Sequence, residues 1–307
     1  MPQISSGSTP RSSRRIGHLR LLTYASFVRF SHSVFALPFA LTGALLAIHR
    51  IGSRSLDGAG TRLLWIVVAM VAARSAAMGF NRLADARYDA VNPRTAMREL
   101  PRGLMSEREA VAFVVLTSLA FVLAAWMLGP LCFVLAPVAL AIVFWYSLAK
   151  RVTSYTQLFL GLAMAAAPVG GWLAAGGREG WEPWLLGLAI GCWVGGFDVL
   201  YACQDLSVDR EHGLHSIPVR FGVARSLTIS RVMHVIAVLA LAALAPIADL
   251  GWFYVAGVGG VALLLVYEQS LVSEQDLSQV KRAFDLNGYV GILYLLTTAA
   301  AVYIRWV

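Results

Sequence analysis

Charge is scarce in this chain. Lys, Arg, Asp and Glu make up 14% of its 307 residues, against about 25% in a soluble domain of ordinary composition, too few to cover a globular surface in water. Cysteine is scarce as well. Cys132, Cys192 and Cys203 lie within or at the end of apolar stretches, without the CxxC or His/Cys spacing of a structural metal site, and read as packed thiols. A cleaved leader is not expected either, because the polar, basic residues 1–22 are not followed by a short apolar run ending in a small-residue cleavage site. They read as a cytoplasmic basic tail.

What fills the chain instead is apolar: 58% of residues are hydrophobic and the mean hydropathy is +0.69. These residues fall in blocks of about 17–23, long enough to cross the hydrocarbon core of a bilayer. Nine spans are expected, near 30–49, 63–81, 110–128, 131–149, 156–176, 183–203, 228–247, 251–272 and 288–306. The fold class is therefore all-α, a polytopic membrane bundle of nine transmembrane helices forming one domain over residues 23–307. The net charge of +8 is read as loop charge kept on the cytoplasmic side and not as a nucleic-acid footprint. Most Lys and Arg fall on the side that holds the N-terminus and the long connections at about 82–109, 204–227 and 273–287. A cytoplasmic N-terminus in a plasma (inner) membrane follows, with the lipid bilayer as the surrounding partner and no obligate protein partner.

Two segments carry ionisable residues against this apolar background. In the first, Asn81, Asp85 and Asp89 are spaced i, i+4, i+8 and stack on one helix face. Arg74 lies on the same stripe about two turns deeper. A charged Arg inside an apolar span is costly unless it is paired or faces water, so this face looks into a polar cavity. In the second, Asp198, Tyr201, Asp205 and Asp209 have offsets 0, +3, +7 and +11, again one helical stripe. Hard divalent cations prefer such carboxylate and amide oxygens, and magnesium is commonly shared between a few carboxylates and phosphate oxygens. Asn81, Asp85, Asp89, Asp205 and Asp209 are thus the candidate magnesium ligands. Arg94, Arg98, Lys150, Arg151 and Arg210 are candidate phosphate contacts, or else simply loop charge.

These residues resemble the UbiA superfamily of membrane prenyltransferases. The family's first motif, NDxxDxxxD, is similar to Asn81 through Asp89, and its Arg-Thr-x-x-Arg run to Arg94 through Arg98. Its second motif is similar to Tyr201-Ala202 with Asp205 and Asp209, its deep Arg to Arg74, and its Tyr-x-x-x-Lys-Arg to Tyr146 with Lys150 and Arg151. Two positions depart: Arg82 stands where the family has Asp, and His215 where many members have Lys. Arg82 either pairs with Asp85 or reaches the diphosphate, and contact from the mostly neutral His215 would be weaker or pH-dependent. The resemblance implies Mg2+-dependent transfer of a polyprenyl group from polyprenyl diphosphate to the ring of an aromatic acid in quinone biosynthesis. The acceptor is 4-hydroxybenzoate or, in a related subgroup, 1,4-dihydroxy-6-naphthoate. Asp198 then either activates the phenolic hydroxyl or pairs with Arg74. Arg29, Tyr146 and Tyr201 are candidate contacts to the aromatic substrate, Arg29 being otherwise a positive-inside anchor. An ion-coupled transporter would explain the intramembrane Arg74 and Asp198, but not the clustering of acids beside basic loops. The motif of CDP-alcohol phosphotransferases is absent.

Overall fold

The computed structural model describes residues 36–52 and 59–304, together with Tyr24 and Phe27. The basic tail and Arg29 lie outside the described residues. Ten α-helices follow one another: α1 (Leu37–Ile51), α2 (Ala59–Val91), α3 (Glu107–Leu128), α4 (Pro130–Ala149), α5 (Thr156–Ala174), α6 (Glu182–Ala202), α7 (Leu206–Glu211), α8 (Ile217–Ile247), α9 (Trp252–Ser270) and α10 (Val280–Tyr303). Among the described residues, eight helices are long and apolar enough to cross a membrane, and α1 is a shorter apolar helix. Large apolar side chains such as Leu119, Val134, Leu239 and Leu263 point outward, as expected where lipid is the solvent. The chain is a polytopic membrane protein.

Successive long helices pack side by side, and α10 returns against α1 to close the bundle. Aromatic residues fill its core: Phe39 meets the edge of Trp193 at 5.1 Å, and the buried Tyr254 and Tyr294 hydroxyls share a 2.8 Å hydrogen bond. Small residues let helices cross closely. A Cβ on Gly161 of α5 would overlap the Gly191 carbonyl of α6, so only glycine lets these backbones approach so closely.

Local chemistry explains the helix ends that matter for the site. At the start of α3, Ser106 accepts from the Glu109 backbone N–H at 3.2 Å while the Glu109 carboxylate accepts from the Ser106 N–H at 2.9 Å, a reciprocal cap. Helix α2, at 33 residues, is about 50 Å long and exceeds the roughly 30 Å hydrocarbon thickness. Its last turns therefore project beyond the apolar layer and carry Asn81, Asp85 and Asp89. The second acidic segment is less regular. After α6 the backbone tightens into a 3-10 turn at Cys203–Asp205 before α7, so the expected single stripe is broken between Tyr201 and Asp209. Helix α8 starts about ten residues earlier than the hydropathy suggests. Ser216 caps it through the Val219 N–H at 3.3 Å, and Gly222 kinks it with φ +77°, a conformation that glycine adopts without steric cost.

Candidate functional site

Both acidic segments open onto one cavity of about 290 Å³. The last turns of α2 supply Asn81, Asp85 and Asp89, and Arg74 lies deeper on the same helix. The end of α6 and the turn after it supply Asp198, Tyr201 and Asp205, α7 supplies Asp209, and the connection after α2 supplies Arg94 and Arg98. Tyr146 and Lys150 come from the end of α4, and His215 from the turn before α8. Arg82, Arg151 and Arg210 are not among the residues that line it. Arg210 is exposed on α7, and Arg82 is buried against Glu99, its Nη1 3.7 Å from Glu99 Oε2.

The acids are held by basic side chains from other elements. Lys150 Nζ lies 3.0 Å from Asp85 Oδ2, and Arg151 reaches Asp85 Oδ1 at 3.8 Å while donating to the Ala84 carbonyl. Asn81 Nδ2 donates to Asp85 Oδ2 at 3.2 Å. Arg98 Nη1 donates to both oxygens of Asp89 at 2.7 Å. Arg94 spans the two segments: its Nε and Nη2 donate to Asp205 at 3.1 and 2.5 Å, and its Nη1 donates to the Tyr201 hydroxyl at 2.7 Å. Burial alone would draw the Arg94 pKa down, but the Asp205 carboxylate, with Tyr201 and Asp89 behind it, outweighs burial and raises it. Arg94 therefore stays a cation. Among the described residues, Arg74 and Asp198 form no ion pair with each other, and Arg74 Nε has no hydrogen-bond partner.

Several contributors were not anticipated. Asn92 donates to Asp205 Oδ1 at 3.2 Å and accepts from the Arg94 N–H at 2.9 Å, shaping the turn that delivers Arg94. Tyr88 lies under both Lys150 and Arg151, with ring-to-cation distances of 5.7 and 5.6 Å. Gln157, buried on α5, accepts from the Ile217 N–H at 3.2 Å and so ties α5 to the start of α8. A polar Gln157 next to Thr156 at the head of an apolar span was a legible signal. Glu99 gave none, because its partner lies 17 residues away across an irregular turn.

A second cavity, of about 270 Å³, continues toward the opposite end of the bundle. Its walls are almost wholly apolar, with many alanines from α2, α4 and α5. The two cavities meet at Arg74, Tyr146, Leu160 and Met164, which line both. A charged, oxygen-rich mouth thus leads into an apolar recess. Among the described residues no three His, Cys, Asp or Glu side chains converge as a preformed metal cluster. The donors that could hold a hard divalent cation face the cavity, with protein cations as the present partners of Asp85, Asp89 and Asp205.

Comparison with known proteins agrees with this geometry. The model of the UbiA prenyltransferase family matches residues 36–296. A 4-hydroxybenzoate octaprenyltransferase of Citrobacter koseri is 35% identical over 245 residues, covering 78% of this chain and 84% of the relative. One of Cronobacter sakazakii is 31% identical over 245 residues with the same coverage. Among solved structures, the apo structure of a UbiA homolog from Aeropyrum pernix superposes with a TM-score of 0.79 at 33% identity, over 88% of this chain and 98% of that one. A UbiA homolog from Archaeoglobus fulgidus, solved bound to GPP and Mg2+, shares the fold at 19% identity with a TM-score of 0.67 over 92% of this chain and all of that one. With a family model spanning most of its length and relatives of this similarity, the chain belongs to the UbiA prenyltransferase family.

Proposed function

We propose that this protein transfers a polyprenyl group from polyprenyl diphosphate to the ring of 4-hydroxybenzoate, as one domain over residues 23–307 whose acidic segments face the cytoplasm in the plasma membrane. The observation that carries this reading is the junction of the two cavities: a mouth rich in carboxylates and basic side chains opens directly into an apolar recess. That is the shape of an amphiphile with a diphosphate head and a hydrocarbon tail. The relatives named as 4-hydroxybenzoate octaprenyltransferases favour this acceptor, and the bias of Lys and Arg toward the acidic end favours the orientation.

On this reading, Arg94, Arg98, Lys150 and Arg151 turn from carboxylates to phosphate oxygens as substrate enters. Arg supplies forked contacts and Lys a point charge. The oxygens they release, on Asp85, Asp89 and Asp205, together with those of Asp209 and Asn81, are hard donors of the kind that hold magnesium. When bound, the metal would supply Lewis-acid neutralisation of charge on the leaving diphosphate. The apolar recess keeps water from the allylic cation that the departing diphosphate leaves behind. Tyr146 and Tyr201 flank the space for the aromatic ring, while Arg29 is the proposed carboxylate contact. Asp198 takes the phenolic proton on this reading, which raises the electron density of the ring carbon that attacks. Its separation from Arg74 supports this role over a structural pair.

Mass spectrometry of products from purified membranes, offered a polyprenyl diphosphate with 4-hydroxybenzoate and 1,4-dihydroxy-6-naphthoate in competition, tests the proposal. Magnesium-dependent formation of prenylated 4-hydroxybenzoate is expected. Exclusive prenylation of the naphthoate would overturn the acceptor, and no product with either would overturn the reaction.

A further inference from the structure

Asn81 faces the cavity, whereas Arg82 next to it turns away into a buried contact. It is 3% exposed, and its Nη1 lies 3.7 Å from Oε2 of Glu99, which is 8% exposed. Glu99 belongs to the stretch between α2 and α3, which has no helix of its own. That stretch holds its shape through short turns, among them the Leu104 N–H donating to the Glu99 carbonyl at 2.9 Å and the Arg98 N–H to the Thr95 carbonyl at 2.9 Å. It carries Arg94 and Arg98, the two guanidinium groups that reach Asp205 and Asp89.

An isolated turn-rich stretch has many registers of similar energy. A buried charge pair narrows them, because a register that moves Glu99 away from Arg82 loses the attraction that offsets the burial of the two charges. Arg82 is fixed on the rigid helix, so the helix dictates where residue 99 lies. Residue 98 is one peptide bond away, and Arg94 is one turn further back. Leu83 and Leu100, the neighbours of the pair, both pack against the Phe27–Met105–Ala110 cluster, so an apolar contact and a charge contact select the same register.

We propose that Arg82 and Glu99 form a buried clasp that positions Arg94 and Arg98 over the cavity, Arg82 itself touching neither substrate nor metal. The positively charged residue at this place in the acidic segment is then a positioning residue, and its substrate effect is exerted through Arg94 and Arg98. The kinetic half of this inference rests on the diphosphate reading above; the structural half does not.

The test uses the full chain in detergent micelles, as wild type, Arg82→Gln, Glu99→Gln, Arg82→Glu, and the paired swap Arg82→Glu with Glu99→Arg. Amide hydrogen exchange over residues 92–105 is read first. Each single variant is expected to speed exchange there about tenfold or more while leaving α5 and α6 unchanged, and the swap to restore protection. Kinetics with geranyl diphosphate as probe are read next. The single variants are expected to raise KM for the diphosphate about tenfold with kcat changed less than about threefold, and the swap to recover most of this loss. Unchanged exchange in both glutamine variants would overturn the clasp. So would a swap that regains protection but keeps the raised KM, since Arg82 would then contact the diphosphate directly. Loss of folded protein in both glutamine variants would overturn it too, because the pair would then hold the bundle and not the turn. If wild type forms no prenylated product, the functional reading fails, and hydrogen exchange still decides the clasp.

Discussion

In the first acidic segment both carboxylates already have a cation: Lys150 and Arg151 at Asp85, and Arg98 at Asp89. In the second, Arg94 holds Asp205, whereas Asp198 and Asp209 make no ion pair among the described residues. The backbones differ in the same sense. Asn81, Asp85 and Asp89 ride on an uninterrupted helix, while Asp198 and Asp209 are separated by a 3-10 turn. The first segment is therefore rigid and charge-compensated by the protein. The second is irregular and carries uncompensated carboxylates, which is where an added cation relieves the most repulsion. Arg94 joins the two, since it is delivered by the stretch following the first segment and grips the second.

The largest effect should come from removing a carboxylate from either side. Asp205→Asn or Asp85→Asn is expected to lower prenyl transfer in membranes more than about a hundredfold with expression intact. Full activity in either variant would remove these residues from the site. The contrast between the segments is sharpened by titrating magnesium. Asp209→Asn is expected to raise the concentration for half-maximal diphosphate release about tenfold, and Asp89→Asn by less, because Asp89 is already engaged with Arg98. The opposite order would break the comparison.

How much of this arrangement could be read from the sequence follows the range of the interactions involved. The apolar blocks and the i, i+4 spacing are local, so the helices, the shared face of Asn81, Asp85 and Asp89, and the depth of Arg74 were legible. The departure of Asp205 from its expected stripe was not, because a 3-10 turn at Cys203 changes the angular position of every following residue and leaves no mark in composition. The long reach of α2 was hidden for another reason. Hydropathy registers where apolar residues stop, near Phe80, and not where helical hydrogen bonding stops, at Val91. Arg82 was expected at Asp85 or at the diphosphate. Glu99, its actual partner, becomes a neighbour only when the turn folds back.

Arg94 offers a finer test of the link between segments. Its guanidinium donates to Asp205 through two nitrogens and to Tyr201 through a third, a fork that a single ammonium cannot reproduce. Arg94→Lys keeps the charge, so a purely electrostatic role would leave activity near wild type. A fall in kcat/KM of about fivefold is expected instead, from the lost second and third contacts. An unchanged value would mean that charge alone couples the segments.

The smallest effect is expected at His215, on the cation-poor side. Its backbone N–H donates to the Lys150 carbonyl at 2.7 Å, so the turn is tied to the end of α4 by main chain, and the side chain is free to vary without moving it. His215→Lys places an ammonium in the cavity that Asp209 and Asp205 also line. That charge partly compensates the second segment. Activity at saturating magnesium should stay within about threefold of wild type, while more magnesium is needed to reach half-maximal rate, because the new ammonium competes for the same carboxylates. Steady-state assays across a magnesium series separate the two quantities. A His215→Lys enzyme inactive at every magnesium concentration would give the imidazole a role of its own and would end the view that the second segment is tuned by charge alone.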